Sequence, residues 1–246
     1  MVYAKDIYNY LNDIMPFETQ EKWDNSGLLV NCGNSCEKVL CCLDVTKAAV
    51  EKAISENCQL IVSHHPVIFS AVKSLDCDSI LMKLIQNNIS VISAHTNFDK
   101  YQFGTSYRLA QFCGVKGNGE LLEIGLAIAL EEAEYFNSFV EKIKQNVKIP
   151  LQYTKGKENV NRVFVIAGSG KGMTEEILDA GCDCVITGES SYHDMLDLKE
   201  LGISTICLGH DESEKISVDT LAKLINDRFD SVKAISFVEE SLVKYI

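Results

Sequence analysis

Short apolar runs alternate with amphipathic segments along the whole chain, and this alternation limits the fold more than any other feature. Residues 38–43, 59–63 and 89–94 read as strands. Between the first two, Thr46 can cap a helix whose Ala49, Val50, Ala53 and Ile54 keep helical spacing, and Asn57 ends it. Residues 79–87 read as the next helix, and residues 4–12 as an opening one with Ile7, Tyr8 and Leu11 on one side. Strand–helix–strand order with short connections implies an α/β fold with mainly parallel sheets and helices packed on them.

The second half repeats this order. Residues 163–167, 182–187 and 203–208 read as strands, with helices over 174–180 and 192–201. Val39 and Val163 stand 124 residues apart, and so do Cys58 and Cys182. At that offset His64-His65 falls opposite Gly188-Glu189, and after a shortening of roughly ten residues His95 falls opposite His210. Two similar α/β lobes from an internal duplication are the architecture this predicts. Residues 1–120 form one lobe and 121–246 the other, with the 209–214 loop returning to a shared site. The second lobe opens with a strand over 124–130, a helix over 132–145 and a turn at Pro150.

Several function classes are disfavoured. A net charge of −12 argues against nucleic acid or an anionic membrane as main partner, and no apolar stretch is long enough to span a bilayer. The first ten residues carry no signal-like apolar core, which fits a cytoplasmic protein. The ten cysteines include no Cys-x-x-Cys pair, and most fall in apolar runs. They read as buried small hydrophobes in a reducing compartment, with Cys32 and Cys36 the pair expected to be exposed.

All five histidines lie at or just past the end of a strand-like run, the edge where α/β proteins bind ligands. His64 and His65 precede Pro66. Successive strand residues face opposite sides, so both rings converge only if the chain leaves the sheet there. His95 is followed by Asp99, which is either a ligand or a turn carboxylate. His210 is followed by Asp211, Glu212 and Glu214, which taken alone read as a solvated helix start. On a helical turn His210 and Glu214 would face the same side. Mixed imidazole and carboxylate donors suit Zn, Mn, Fe(II) or Co rather than Ca or Mg, and their number exceeds one tetrahedral site, so two bridged ions fit. His193 is an acid–base candidate or a packing residue. Gly168-Ser169-Gly170-Lys171-Gly172 precedes a helix, as phosphate-cradling loops do, but completes no nucleotide fingerprint. Trp23-Asp24-Asn25-Ser26-Gly27 reads as a turn or a pocket edge.

Five ordered motifs carry a resemblance: Trp23-Asp24-Asn25-Ser26-Gly27-Leu28, Ser63-His64-His65-Pro66, His95-Thr96-Asn97-Phe98-Asp99, Thr187-Gly188-Glu189 with Tyr192-His193-Asp194, and the run from Gly209 to Glu214. Together they resemble the GTP cyclohydrolase I type 2 homologue family, the NGG-interacting-factor-three-like proteins, in its short form. The resemblance implies a toroidal homohexamer with two divalent ions (Zn, Mn, Fe or Co) per subunit in the cleft between lobes. It places the metal ligands on His64, His65, Asp99, His210 and Glu214, with Glu214 bridging. His95 and His193 remain as the candidates for proton transfer. The implied activity is metal-dependent hydrolysis of a small nucleotide-like substrate, with opening of the GTP imidazole ring by hydroxide generated at the metals. The alternative is a non-catalytic metal-binding ring that stores, delivers or senses metal, or scaffolds a protein partner. Glu189 and Asp211 depart from the common pattern, and neither is expected to touch a ligand.

Overall fold

A computed structural model describes residues 1–244. In chain order the first stretch holds α1 (Ala4–Ile14), β1 (Gly27–Val30), β2 (Lys38–Cys42), α2 (Lys47–Ser55), β3 (Leu60–Ser63), α3 (Ile80–Gln86), β4 (Ser90–Ser93) and the single turn α4 (Thr96–Asp99). Next come α5 (Thr105–Cys113), β5 (Gly117–Leu121), β6 (Leu126–Tyr135), α6 (Phe136–Val147), β7 (Gln152–Thr154) and β8 (Asn159–Ser169). They are followed by α7 (Thr174–Asp179), β9 (Cys184–Glu189), α8 (Tyr192–Glu200), β10 (Ser204–Cys207) and α9 (His210–Glu214). The chain closes with α10 (Val218–Arg228) and β11 (Lys233–Phe237).

These elements form two compact units: Met1–Tyr101 with Ser217–Glu239, and Gln102–Ile216 with the chain from Glu240 onward. This division is not the boundary at 120 read from the sequence. β11 pairs in parallel with β2 along its full length, so the last helix and strand belong with the first unit. β5 pairs with β6 and belongs to the second. Of the span 121–246, residues 245 and 246 lie outside the described residues.

The first unit is a five-stranded sheet in the order β1-β4-β3-β2-β11, parallel except for β1. Alternate strand residues bury on opposite faces, as expected of a sheet covered on both sides. Val39, Cys41, Leu60 and Val62 pack against Ile7 and Leu11 of α1 and Leu221 and Ile225 of α10. Leu40, Cys42 and Ile61 pack against Ala49, Val50 and Ala53 of α2 and Leu84 of α3. Thr46 caps α2 by accepting from the Ala49 amide, and Ser79 caps α3 by accepting from that of Met82.

The second unit is a six-stranded sheet in the order β5-β6-β8-β9-β10-β7. Its parallel part is confined to β8, β9 and β10, and the flanking strands are antiparallel. β6 extends to Tyr135, through residues whose spacing also suited the helix expected from 132. That helix begins at Phe136 instead, where Phe136, Phe139, Val140 and Ile143 supply a buried stripe.

The repeat read from the sequence holds at the level of register. Val39 pairs with Leu60 and Val163 with Cys184. Leu60 pairs with Ser90 and Cys184 with Ser204. An antiparallel strand then flanks each trio, with Gly27 opposite Ser93 and Gln152 opposite Cys207. Four strands thus recur in the same order and alignment, and only the fifth neighbour differs: β11 is parallel to β2, whereas β6 is antiparallel to β8.

Most cysteines are buried and none is disulfide-bonded among the described residues. Cys36 is buried rather than exposed, because its amide donates to the Val2 carbonyl and Tyr3 bridges Ser35. Cys77 is the exposed thiol.

Candidate metal centre

β3 and β4 carry three histidines at their carboxyl ends. Past Ser63 the chain stays tied to the end of β2, with the His64 amide donating to Cys42 O and the His65 amide to Leu43 O. The Ser63 hydroxyl donates to His65 O at 2.8 Å, bending the backbone back on itself. The chain therefore does leave the sheet, and the two rings lie 5.1 Å apart rather than on opposite faces. The His95 ring lies 5.1 Å from His64 and 5.4 Å from His65. One nitrogen from each of the three falls within 4.8 Å of the others, close enough to share an ion.

Each ring is oriented through Nδ1. His64 Nδ1 lies 2.8 Å from the Ala94 carbonyl, His65 Nδ1 2.8 Å from Asp44 Oδ1, and His95 Nδ1 2.8 Å from Asp24 Oδ1. These partners only accept, so Nδ1 carries the proton and Nε2 presents its lone pair in the neutral ring. Metal-binding histidines are held in this way. Asp99 reaches the same place because α4 is one tight turn, its amide donating to His95 O. Its Oδ1 lies 3.6 Å from His64 Nε2.

Asp24 is the residue that sequence reasoning passed over, although the polar turn holding it was visible. Its side chain is fully buried. Burial pushes its carboxyl up, but hydrogen bonds from His95 and from the Thr96 hydroxyl and amide outweigh this and hold it well below the usual carboxylate range. It also accepts from the Ser26 hydroxyl and the Asn25 amide. Asp24 is thus a fixed negative charge behind His95.

In the second unit α9 starts directly after β10, and its single turn sets His210 Nε2 3.3 Å from Glu214 Oε2. His210 Nδ1 lies 3.1 Å from Glu189 Oε1. Glu189 therefore does touch an expected ligand, contrary to the sequence reading, because the end of β9 runs beside the start of α9. Hydrogen bonding to Glu214 first, and then the Glu189 carboxylate, outweigh burial and raise the His210 pKa to about 9. The other unusual residue, Asp211, accepts from the Leu242 amide. His193 stands exposed on α8, its ring edge-on to Tyr192 at 5.5 Å.

The glycine-rich loop after β8 has a packing explanation. Gly168 has φ +65°, and a Cβ there would lie 2.1 Å from Glu214 Oε1. Gly188, opposite His64 in the repeat, would place a Cβ 2.4 Å from both Gly168 O and Ser213 Oγ. Both glycines let α9 lie directly on the ends of β8 and β9.

Imidazole nitrogens with anchored Nδ1 atoms, accompanied by carboxylates, suit a divalent transition ion. No helix among the described residues is long and apolar enough to cross a membrane.

The chain is similar to known proteins over most of its length. A Helicobacter pylori protein named GTP cyclohydrolase 1 type 2 is 38% identical over 224 residues, covering 87% of this chain and 88% of its own. A Clostridium acetobutylicum GTP cyclohydrolase 1 type 2 homolog is 33% identical over 236 residues, covering 89% and 88%. The crystal structure of Staphylococcus aureus hypothetical protein SA1388 superposes with a TM-score of 0.86 at 26% identity, covering 100% of this chain and 99% of that one. The family model for Duf34/NIF3 (NGG1p interacting factor 3) matches residues 2–241, and the chain belongs to that family.

Proposed function

We propose that this protein is a metal-dependent hydrolase acting on a nucleotide-like substrate, with two divalent ions held by His64, His65, Asp99, His210 and Glu214. The observation that carries this reading is the shared orientation of four histidines. His64, His65, His95 and His210 each have Nδ1 bound to an oxygen, the orientation in which metal-binding histidines are held. His95 is within reach of the same ion as His64 and His65, so its acid–base role and a ligand role compete for one nitrogen.

Bound ions of this type supply Lewis acidity that brings the pKa of water toward neutrality. The chain supplies the rest. His95 Nε2 accepts a proton from the attacking water, and the ionised Asp24 stabilises the resulting imidazolium without taking the proton itself. The same ring then returns the proton to the departing nitrogen. For a guanine nucleotide, addition of water at C8 and cleavage of its C–N bonds would open the imidazole ring and release C8 as formate, one water being consumed per bond cleaved. The names of the Helicobacter and Clostridium relatives support this substrate class. His193, exposed on α8, is proposed as an outer contact for substrate rather than the primary acid or base. The protein is proposed to work as a homohexamer in the cytoplasm, where its thiols stay reduced.

A second reading, a metal-holding scaffold for a protein partner, draws on the family's description as an interacting factor. One experiment separates the two. Metal content is measured, and the Mn-, Fe- and Zn-loaded protein is assayed against GTP and a nucleotide panel. Turnover that falls with metal content in His65→Ala supports the hydrolase. No turnover with any metal, together with a partner interaction that survives in His65→Ala, overturns it.

A further inference from the structure

The histidine cluster is flanked by two large aromatic side chains that the hydrophobic core does not use. Trp23 is 60% exposed and Phe69 53% exposed. Their ring centroids lie 6.0 Å apart with planes tilted by 40°, so neither ring covers the face of the other. Both meet the His95 ring edge-on, Trp23 at 5.9 Å and Phe69 at 6.5 Å.

Exposed aromatics on loose loops would be of little consequence, but these two are fixed from behind. The residue after Trp23 is Asp24, whose amide donates to Glu21 O and whose buried carboxylate takes hydrogen bonds from Ser26, Thr96 and His95. The residue before Phe69 is Ile68, whose carbonyl accepts from Asn25 Nδ2 at 2.6 Å. One short turn, Asp24-Asn25, thereby holds the backbone on both sides of the pair. Nothing in the folding of this unit requires two apolar rings to face water there. Two preset π-faces beside a nitrogen cluster form a platform for a planar ring, since stacking on aromatic side chains accepts any base.

We infer that Trp23 and Phe69 form a stacking platform for the planar heteroaromatic base of the substrate and set its ring edge toward His95. This rests on the hydrolase reading for the identity of the substrate, but not for the binding itself. A purine fits because it is flat and offers ring nitrogens along the edge nearest the imidazoles. Ribose and phosphate, which have no π-face, would gain nothing from this pair.

Trp23 is the sole tryptophan, so its emission reports directly on the platform. Metal-stripped and Zn-loaded protein are titrated with guanosine monophosphate, adenosine monophosphate and ribose 5-phosphate. The expected result is saturable quenching by both nucleotides and none by the sugar phosphate. Phe69→Ala, an exposed substitution, should weaken nucleotide binding about tenfold, the scale of one lost stacking contact. Trp23→Ala, followed by calorimetry, should do the same. Absence of saturable quenching, or binding unchanged in both variants, overturns the inference. So does emission that shifts on dilution without nucleotide, which would place the pair against a second copy of the chain. Nucleotide binding without turnover would sink the hydrolase and leave the platform. Turnover without any effect of either variant would do the reverse.

Discussion

The ends of β3 and β9 stand at matching places in two sheets of the same register, yet they carry different chemistry. β3 runs into His64-His65, whose rings turn together beside His95. β9 runs into Gly188-Glu189, where the glycine admits α9 and the glutamate orients His210. The first unit presents nitrogens directly from its strand ends. The second cannot, because α9 occupies that space, and it presents a histidine and a carboxylate from the helix instead. One scaffold thus places its histidines in two ways, and what differs is whether a side chain fits at the position that His64 takes in one repeat and Gly188 in the other.

The largest effect is expected at the proposed acid–base pair of His95 and Asp24, which the second unit lacks in this form. Asp24→Asn should lower turnover by about 10³–10⁴-fold while leaving bound metal, since an amide no longer fixes the imidazole tautomer or balances its charge. The check is kcat alongside metal content. The same carboxylate predicts an acid-stability effect. Its pKa is depressed in the folded protein, so its contribution is present above the unfolded value near 4 and is lost as pH falls through the folded value. Asp24→Asn should therefore show a smaller loss of denaturant midpoint between about pH 5 and pH 2 than the parent protein.

Next in size is a test of the glycine. Gly188→Val should cost about 3 kcal/mol in urea unfolding, because the side chain meets the Gly168 carbonyl and Ser213 with no room to move. An unchanged midpoint would mean that α9 can shift, and the packing account of the asymmetry would fail.

Strand positions, the strand-end histidines and the repeat itself were legible because each depends on local pattern: an apolar run, its end, and a constant offset. The return of α10 and β11 to the first sheet was not, since pairing of Lys233–Phe237 with Lys38–Cys42 leaves no trace in either segment. The carboxylates behind the rings were equally hidden. Asp44, Asp24 and Glu189 are 21, 71 and 21 residues from the histidines they orient, and an orienting carboxylate reads in sequence like any surface one.

Those carboxylates give the smaller predictions. Asp44→Asn should weaken metal affinity about 10–100-fold, the usual cost of removing an orienting partner, and competition with a chromophoric chelator measures it. As a proposed ligand His210 would have to lose its proton, and its hydrogen bonds to Glu214 and Glu189 raise its pKa to about 9. Metal binding should therefore release a proton from this site and tighten as pH rises toward 9. Glu189→Gln should move that dependence toward lower pH.

In the proposed centre, metal is held by imidazole nitrogen and carboxylate oxygen, with no contribution from the ten thiols. X-ray absorption at the zinc edge of protein loaded with two equivalents tests it directly. The expected spectrum has a first shell of nitrogen and oxygen at about 2.0–2.2 Å with the outer-shell scattering of imidazole. A sulfur shell near about 2.3 Å, or a spectrum unchanged in His65→Ala, would contradict it.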